Sequence, residues 1–231
     1  MDRNQFGKIR DAYNNTVRDF LSGINPLAAV PKKFKNSRAF KSFIKESAPE
    51  ITGSSAPGIK EFLKPGPGMN CLDVGCCANM ATKRFDKWPS TYFGIDISPE
   101  LIQEMKKFAA ETGTVIGGLE VAEMNNMPFS EDFFDIAMVI GVFEYVSMEY
   151  AADSLKELHR VLKPGAKMVL DLPNPQHPHV ETMFQLEEYL GRPNIPKSQK
   201  IFENHITRYY SIVDTNEKHV MLKYFVEKKV S

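Results

Sequence analysis

Residues 72–79, Leu72-Asp73-Val74-Gly75-Cys76-Cys77-Ala78-Asn79 (LDVGCCAN), carry an apolar run into a glycine turn. A glycine-rich ligand loop would continue with two more glycines at alternate positions, but Cys77 and Asn79 stand there. Three readings are open: a nucleotide-type ligand loop, a cysteine site, or a plain turn.

Downstream, short apolar runs alternate with helical patterns. NCLDVG (70–75) reads as a buried strand and a helix is expected over 79–87. TYFGIDI (91–97) is a second strand, and Ser98-Pro99-Glu100 opens a helix with an N-cap, a first-turn proline and an acid at the positive helix end. LEVAEM (119–124) holds a third strand; FDIAMVIG (134–141), apolar throughout, suits a strand buried on both faces. A helix over 149–162 shows Leu155, Leu158 and Leu162 on one side; Lys163-Pro164-Gly165-Ala166 reads as a stop-and-turn, and AKMVLDLP (166–173) as a fifth strand. A helix near 180–190 and strands near 206–213 and 219–228 complete the expectation. Upstream, Phe6, Ile9, Tyr13, Val17, Phe20 and Leu21 step by three and four, predicting an amphipathic helix over 3–22. A basic helix is expected over 37–47, and ITGSSAPG (51–58) reads as a loop. Strand–helix alternation with short connections implies a parallel sheet covered by helices on both faces. The expected division is a helical cap or lid over 1–56 and a ligand-binding domain over 57–231.

In such sheets the ligand lies beyond the carboxyl ends of the strands. Strand two ends at Asp96, about twenty residues past the first turn, where a carboxylate can accept from both hydroxyls of a ribose. A dinucleotide would require a third glycine beneath its pyrophosphate, and Cys77 and Met80 occupy the corresponding positions. Glu123 and Met124, beyond the third strand, suit an adenine edge. Adenine, ribose and an amino-acid tail laid along strands three, two and one describe S-adenosyl-L-methionine, which needs no phosphate cradle.

LDVGCCAN (72–79), GIDIS (94–98), EVAEMNNMPFSEDFFDIAMVIGVFEYV (120–146) and LKELHRVLKPGAKMVLDLPNP (155–175) together resemble the motifs of class I SAM-dependent methyltransferases, specifically the small-molecule branch of ubiquinone and menaquinone biosynthesis. The resemblance covers about residues 57–175. It implies an α/β, Rossmann-like, seven-stranded sheet of order 3-2-1-4-5-7-6 with strand seven antiparallel. It also implies roles. Asp73 and Gly75 lie under the methionine tail, with Cys77 in a position the family usually gives to glycine. Asp96 takes the ribose and Ile97 packs on adenine. Glu123 and Met124 take the adenine edge, and Gly141 and Val142 border the methionine portion. The family usually has Asp at 123; Glu keeps the acceptor one methylene further out.

The remaining candidates are acceptor-side residues. Tyr13 could place an aromatic face or phenol over the sulfonium. His177 and His179 follow strand five, where a general base could act, and His205 lies near a terminal strand. Each also reads as ordinary: a core tyrosine and solvated histidines. Cys71, Cys76 and Cys77 lack the spacing of a structural zinc site, so no metal is expected. Lys and Arg balance Asp and Glu at 29 each, so no global field draws in nucleic acid. The run Lys32, Lys33, Lys35, Arg38, Lys41, Lys45 reads first as a solvated helix face. The start MDRNQFGKIRD lacks the apolar core of a signal peptide, no apolar run reaches about twenty residues, and a cytoplasmic monomer or homodimer is expected.

Expected function is therefore methyl transfer from SAM to a small-molecule acceptor. Two alternatives remain: attack on another SAM carbon by a cyclase or lyase of the amino-acid tail, or non-catalytic SAM binding.

Overall fold

The computed structural model describes residues 3–25, 27–52 and 58–230. The loop expected over 51–58 therefore falls largely outside the described residues. Three helices come first: α1 (Arg3–Leu21), the single turn α2 (Lys32–Lys35) and α3 (Arg38–Thr52). After the short α4 (Ile59–Leu63) follow β1 (Asn70–Val74), α5 (Cys76–Thr82), β2 (Thr91–Asp96), α6 (Pro99–Thr112), β3 (Gly118–Val121) and β4 (Phe134–Val139). Then come α7 (Met148–Val161), β5 (Leu162–Pro173), α8 (Val180–Tyr189), α9 (Gln199–Tyr209), β6 (Tyr210–Asn216) and β7 (Met221–Lys228).

The seven strands form one sheet of order β3-β2-β1-β4-β5-β7-β6. β1 lies parallel between β2 and β4, with Asp73 opposite Gly94 on one side and Met138 on the other. β7 runs antiparallel between β5 and β6. This is the topology implied by the resemblance. β1 and β4 are almost wholly buried because helices cover both faces. One apolar core lies on the α7 and α9 side, including Leu155, Leu158, Phe202 and Tyr210. The other lies under α4, α5 and α6, including Ile59, Met80, Leu101 and Met105. A third, smaller cluster joins α3 to α8 through Phe40, Phe43, Val180 and Met183.

Several local expectations are corrected. α5 starts at Cys76, not 79, because Gly75 itself ends the strand in the left-handed region (φ 72°) and the helix begins at once. β3 stops at Val121, short of 124. Lys163-Pro164-Gly165-Ala166 does not separate helix from strand. The chain pairs at Leu162 with Phe134 and again at Lys167 with Ile136, so these four residues bulge out of β5. The strand expected from 206 begins only at Tyr210, and α9 occupies the residues before it. Its buried face is only Phe202 and Ile206, and it passes into β6 at Tyr210 with no glycine or proline between.

Candidate cofactor and acceptor site

The carboxyl ends of β1, β2 and β4 border a cavity of about 290 Å³. Gly75, Asp96, Ile97, Met124, Gly141 and Val142 all line it. At Gly75 an added Cβ would come within 2.7 Å of a Val142 methyl, so only glycine lets the β1 turn sit this close to β4. Asp96 stands at the end of β2. One of its oxygens accepts from Ser98 N–H at 3.0 Å and the other from Cys77 N–H at 3.4 Å. Burial holds its pKa above the usual carboxylate range, and these N–H groups oppose that rise. Ser98 Oγ in turn accepts from Leu101 N–H as the N-cap of α6.

Other expected residues lie elsewhere. Asp73 is fully buried and is not among the residues that line the cavity. Tyr92 Oη donates to one of its oxygens at 2.7 Å and Asn79 Nδ2 to the other at 2.9 Å. Asn79 thus does structural work a glycine could not, tying α5 to β1 while also lining the cavity. Cys77 is buried in the α5–α6 core and its side chain does not line the cavity. Glu123 is exposed at the rim, while its neighbours Ala122 and Met124 form the wall.

Tyr13 is in the site and the three histidines are not. α1 crosses the cavity mouth and adds Phe6, Ile9, Arg10 and Tyr13 to the lining. Tyr13 Oη donates to Tyr145 Oη at 3.1 Å, and Tyr145 Oη donates to Glu187 at 2.8 Å. Arg192 closes the chain: its guanidinium lies 4.5 Å over the Tyr13 ring and its Nε lies 2.9 Å from Glu187. Burial pushes both phenols above their ordinary pKa, so they act as neutral hydrogen-bond groups. Behind Tyr145, Glu144 is buried and is held well above the usual range by burial and by Asp171. Glu144, Glu187 and Arg192 carried no sequence signal: Arg192 and Glu187 stand five residues apart, but the tyrosines they meet lie far off in the chain. His177 and His179 instead bind Glu46 of α3, at 2.8 and 3.4 Å. His205 sits on α9, not on a strand.

Among the described residues, Cys76, Cys77 and Asp96 bring ligand atoms within reach of one ion. Both thiols are buried and sit above their ordinary pKa, Cys77 through its contact with Cys76 and through burial. Metal ligation needs thiolate, so this cluster is poorly suited to an ion.

The cavity chemistry fits an adenosyl sulfonium. Apolar faces from Ile95, Ile97 and Met124 suit a purine, Asp96 is an acceptor for a diol, and tyrosines ring the opposite end. Residues 72–170 match the family described as methyltransferase domain. Residues 72–170 carry a methyltransferase domain of the class I SAM-dependent type. S-adenosyl-L-methionine is its cofactor. The sterol 4-C-methyltransferase strm-1 of Caenorhabditis elegans is 26% identical over 151 residues, covering 62% of this chain and 45% of that protein. The 2-phytyl-1,4-naphtoquinone methyltransferase of Nostoc punctiforme is 34% identical over 126 residues, covering 52% of this chain and 53% of that one. This methyltransferase chain thus spans about half the length of the curated relatives it matches. Among solved structures, the geranyl diphosphate C-methyltransferase of Streptomyces coelicolor A3(2), in complex with S-adenosyl-L-homocysteine, superposes with a TM-score of 0.61 at 14% identity, covering 88% of this chain and 87% of that one. At that identity the likeness speaks for the methyltransferase fold alone.

Proposed function

We propose that this protein transfers a methyl group from S-adenosyl-L-methionine to a small, largely apolar acceptor. The observation that carries the reading is the continuity of the cavity. It runs from Asp96 to Tyr13 and Tyr145, so one space has a cofactor end and a tyrosine-lined end beneath α1. When bound, the cofactor supplies an activated methyl group on a positively charged sulfur. Asp96 would accept from the ribose hydroxyls, with Ile97 and Met124 flanking adenine and Glu123 at the rim beside its amino edge. Gly75, Gly141 and Val142 would border the methionine portion, and Asp73 would act from behind by fixing Asn79. Within the cap over residues 1–56, α1 acts as the lid: it excludes water and helps align acceptor with methyl donor.

The phenol chain gives the acceptor end a polarity. A carboxylate only accepts, so Tyr145 gives its proton to Glu187 and Tyr13 gives its own to Tyr145. The Tyr13 oxygen is left as an acceptor, suited to an O–H or N–H on the bound molecule. The sterol and naphthoquinone relatives support an apolar acceptor class. Attack on another SAM carbon was suggested by the unusual residues at 77 and 79. That suggestion weakens where Cys77 points into the core and Asn79 holds Asp73.

Methyl-labelled SAM, incubated with and without apolar phenols and quinols, tests the reading. S-adenosylhomocysteine should accumulate only with an acceptor present. Methylthioadenosine formed from SAM alone would overturn it. Asp96→Ala should lower SAM affinity by roughly a hundredfold in calorimetry, the equivalent of two hydrogen bonds to a charged group, with circular dichroism unchanged.

A further inference from the structure

The N-terminal helices carry a second surface that methyl transfer does not use. From Phe20 to Lys45 the chain has six basic residues and no acidic one, in a protein of zero formal net charge. The charge is therefore concentrated here and offset elsewhere. α3 sorts it by face. Phe40, Phe43 and Ser47 are buried against the rest of the protein, while Arg38, Lys41 and Lys45 are exposed along the opposite side. Lys32 and Lys33 extend the exposed cations onto α2, and Lys35 is held by the Leu27 carbonyl at 2.8 Å. The next acid along α3, Glu46, is engaged by His177 and His179 toward the segment after β5.

Apolar groups accompany the cations. The Phe34 ring lies between two lysines in sequence and packs 5.1 Å from both Phe40 and Tyr189. Tyr189 remains 46% exposed, and Ile24, in the turn after α1, is 50% exposed. Cations beside an exposed tyrosine match the boundary layer of a bilayer, where headgroups are charged and the level beneath is apolar. Five of the six basic residues are lysine. Lysine is a compact point charge, suited to the diffuse field of an anionic headgroup layer.

We propose that the exposed face of α2 and α3, with Tyr189, docks this protein reversibly on an anionic membrane surface. α3 packs on α8, and α8 supplies Glu187 to the phenol chain, so the docked face adjoins the acceptor end. Binding requires no methyl transfer, and the proposal stands or falls separately from the function proposed above.

Co-sedimentation with vesicles tests it, using neutral phosphatidylcholine alone and phosphatidylcholine with about 30% phosphatidylglycerol, at about 0.1 M salt. The full chain should pellet with the anionic vesicles and stay in solution with the neutral ones. Each cation near such a surface is worth about fivefold in partitioning. The combined variant Arg38→Glu, Lys41→Glu, Lys45→Glu should therefore lose at least a hundredfold, with its melting temperature and SAM affinity unchanged. Tyr189→Ser should lower partitioning without altering its dependence on salt. No association with anionic vesicles, equal association with neutral ones, or undiminished association of the triple variant overturns the proposal. So does tighter binding of a mixed-sequence RNA that the triple variant abolishes, which assigns the face to nucleic acid.

Discussion

Cys77 and Asp73 flank the same turn, and each acts through what it packs against. Cys77 is the second residue of α5 and lies wholly in the core. Cys77→Gly should therefore cost stability, about 1–2 kcal/mol from lost helix propensity and packing, and leave SAM affinity within about threefold. Thermal denaturation and calorimetry separate the two; a large change in affinity with stability intact would give the thiol a ligand role. Asp73 offers a pH test. Burial pushes its folded-state pKa up to about 7, against the donors Tyr92 and Asn79. Between about pH 4 and that value the folded protein holds a proton that the unfolded chain has released. This contribution to stability is thus complete below the window and is lost as pH rises through it. Asp73→Asn is isosteric, and Asn79 can turn its amide to accept from the new NH₂ group. Denaturation midpoints of the variant should fall less steeply than wild type across this range.

The close approach of α5 to β2 sets the height of the cofactor turn. Gly94 faces Asp73 across the ladder, and an added Cβ there would meet Cys76 Cβ at 2.6 Å and a Leu119 methyl at 2.9 Å. Neither neighbour has room to retreat in a packed core. Gly94→Ala should destabilise by about 1–3 kcal/mol and weaken SAM binding, because α5 must lift and carry the Cys77 N–H away from Asp96. Chemical denaturation and calorimetry check both effects. At this scale the strands themselves were legible as apolar runs, while their order came with the family resemblance. The start of α5 was not legible, since two cysteines carry no capping signal. α9 was missed for a similar reason: two buried positions four apart make a weak stripe, and the aromatic residues at its end resemble a strand.

Across the molecule, α1 is pinned over the site by polar contacts with α6. Asn14 donates to Glu100 at 3.0 Å and accepts from Ser98 Oγ at 2.6 Å, and Arg18 pairs with Glu100. Ser98 also caps α6 and its N–H donates to Asp96, so the position of α1 and the end of β2 share one residue. Asn14→Ala leaves the Ser98 hydroxyl without this partner and should loosen α1. Amide hydrogen exchange should quicken over residues 3–21 while the sheet stays protected, and SAM affinity should fall about tenfold, the value of one hydrogen bond. Unchanged exchange in α1 would separate the lid from this contact. On the far side of the cap, Glu46 and the two histidines clamp α3 to the segment after β5. Among the described residues, no helix is long and apolar enough to cross a membrane.

The sequence by itself determined the layered α/β architecture, because strands buried on both faces must be apolar. A carboxylate at a strand end leaves a local mark, so Asp96 was legible from its position, while Gly141 and Val142 came only with the family resemblance; all three line the cavity. LDVGCCAN was legible as a turn but not in its orientation. Only the packing decided that Cys77 faces the core, that Asn79 binds Asp73, and that Tyr13, Tyr145, Glu187 and Arg192 meet in a chain at one end of the cavity. Those four come from α1, the segment after β4, α8 and the loop beyond it. Their hydrogen bonds depend on where the sheet brings distant segments together, and no local pattern of residues encodes that meeting.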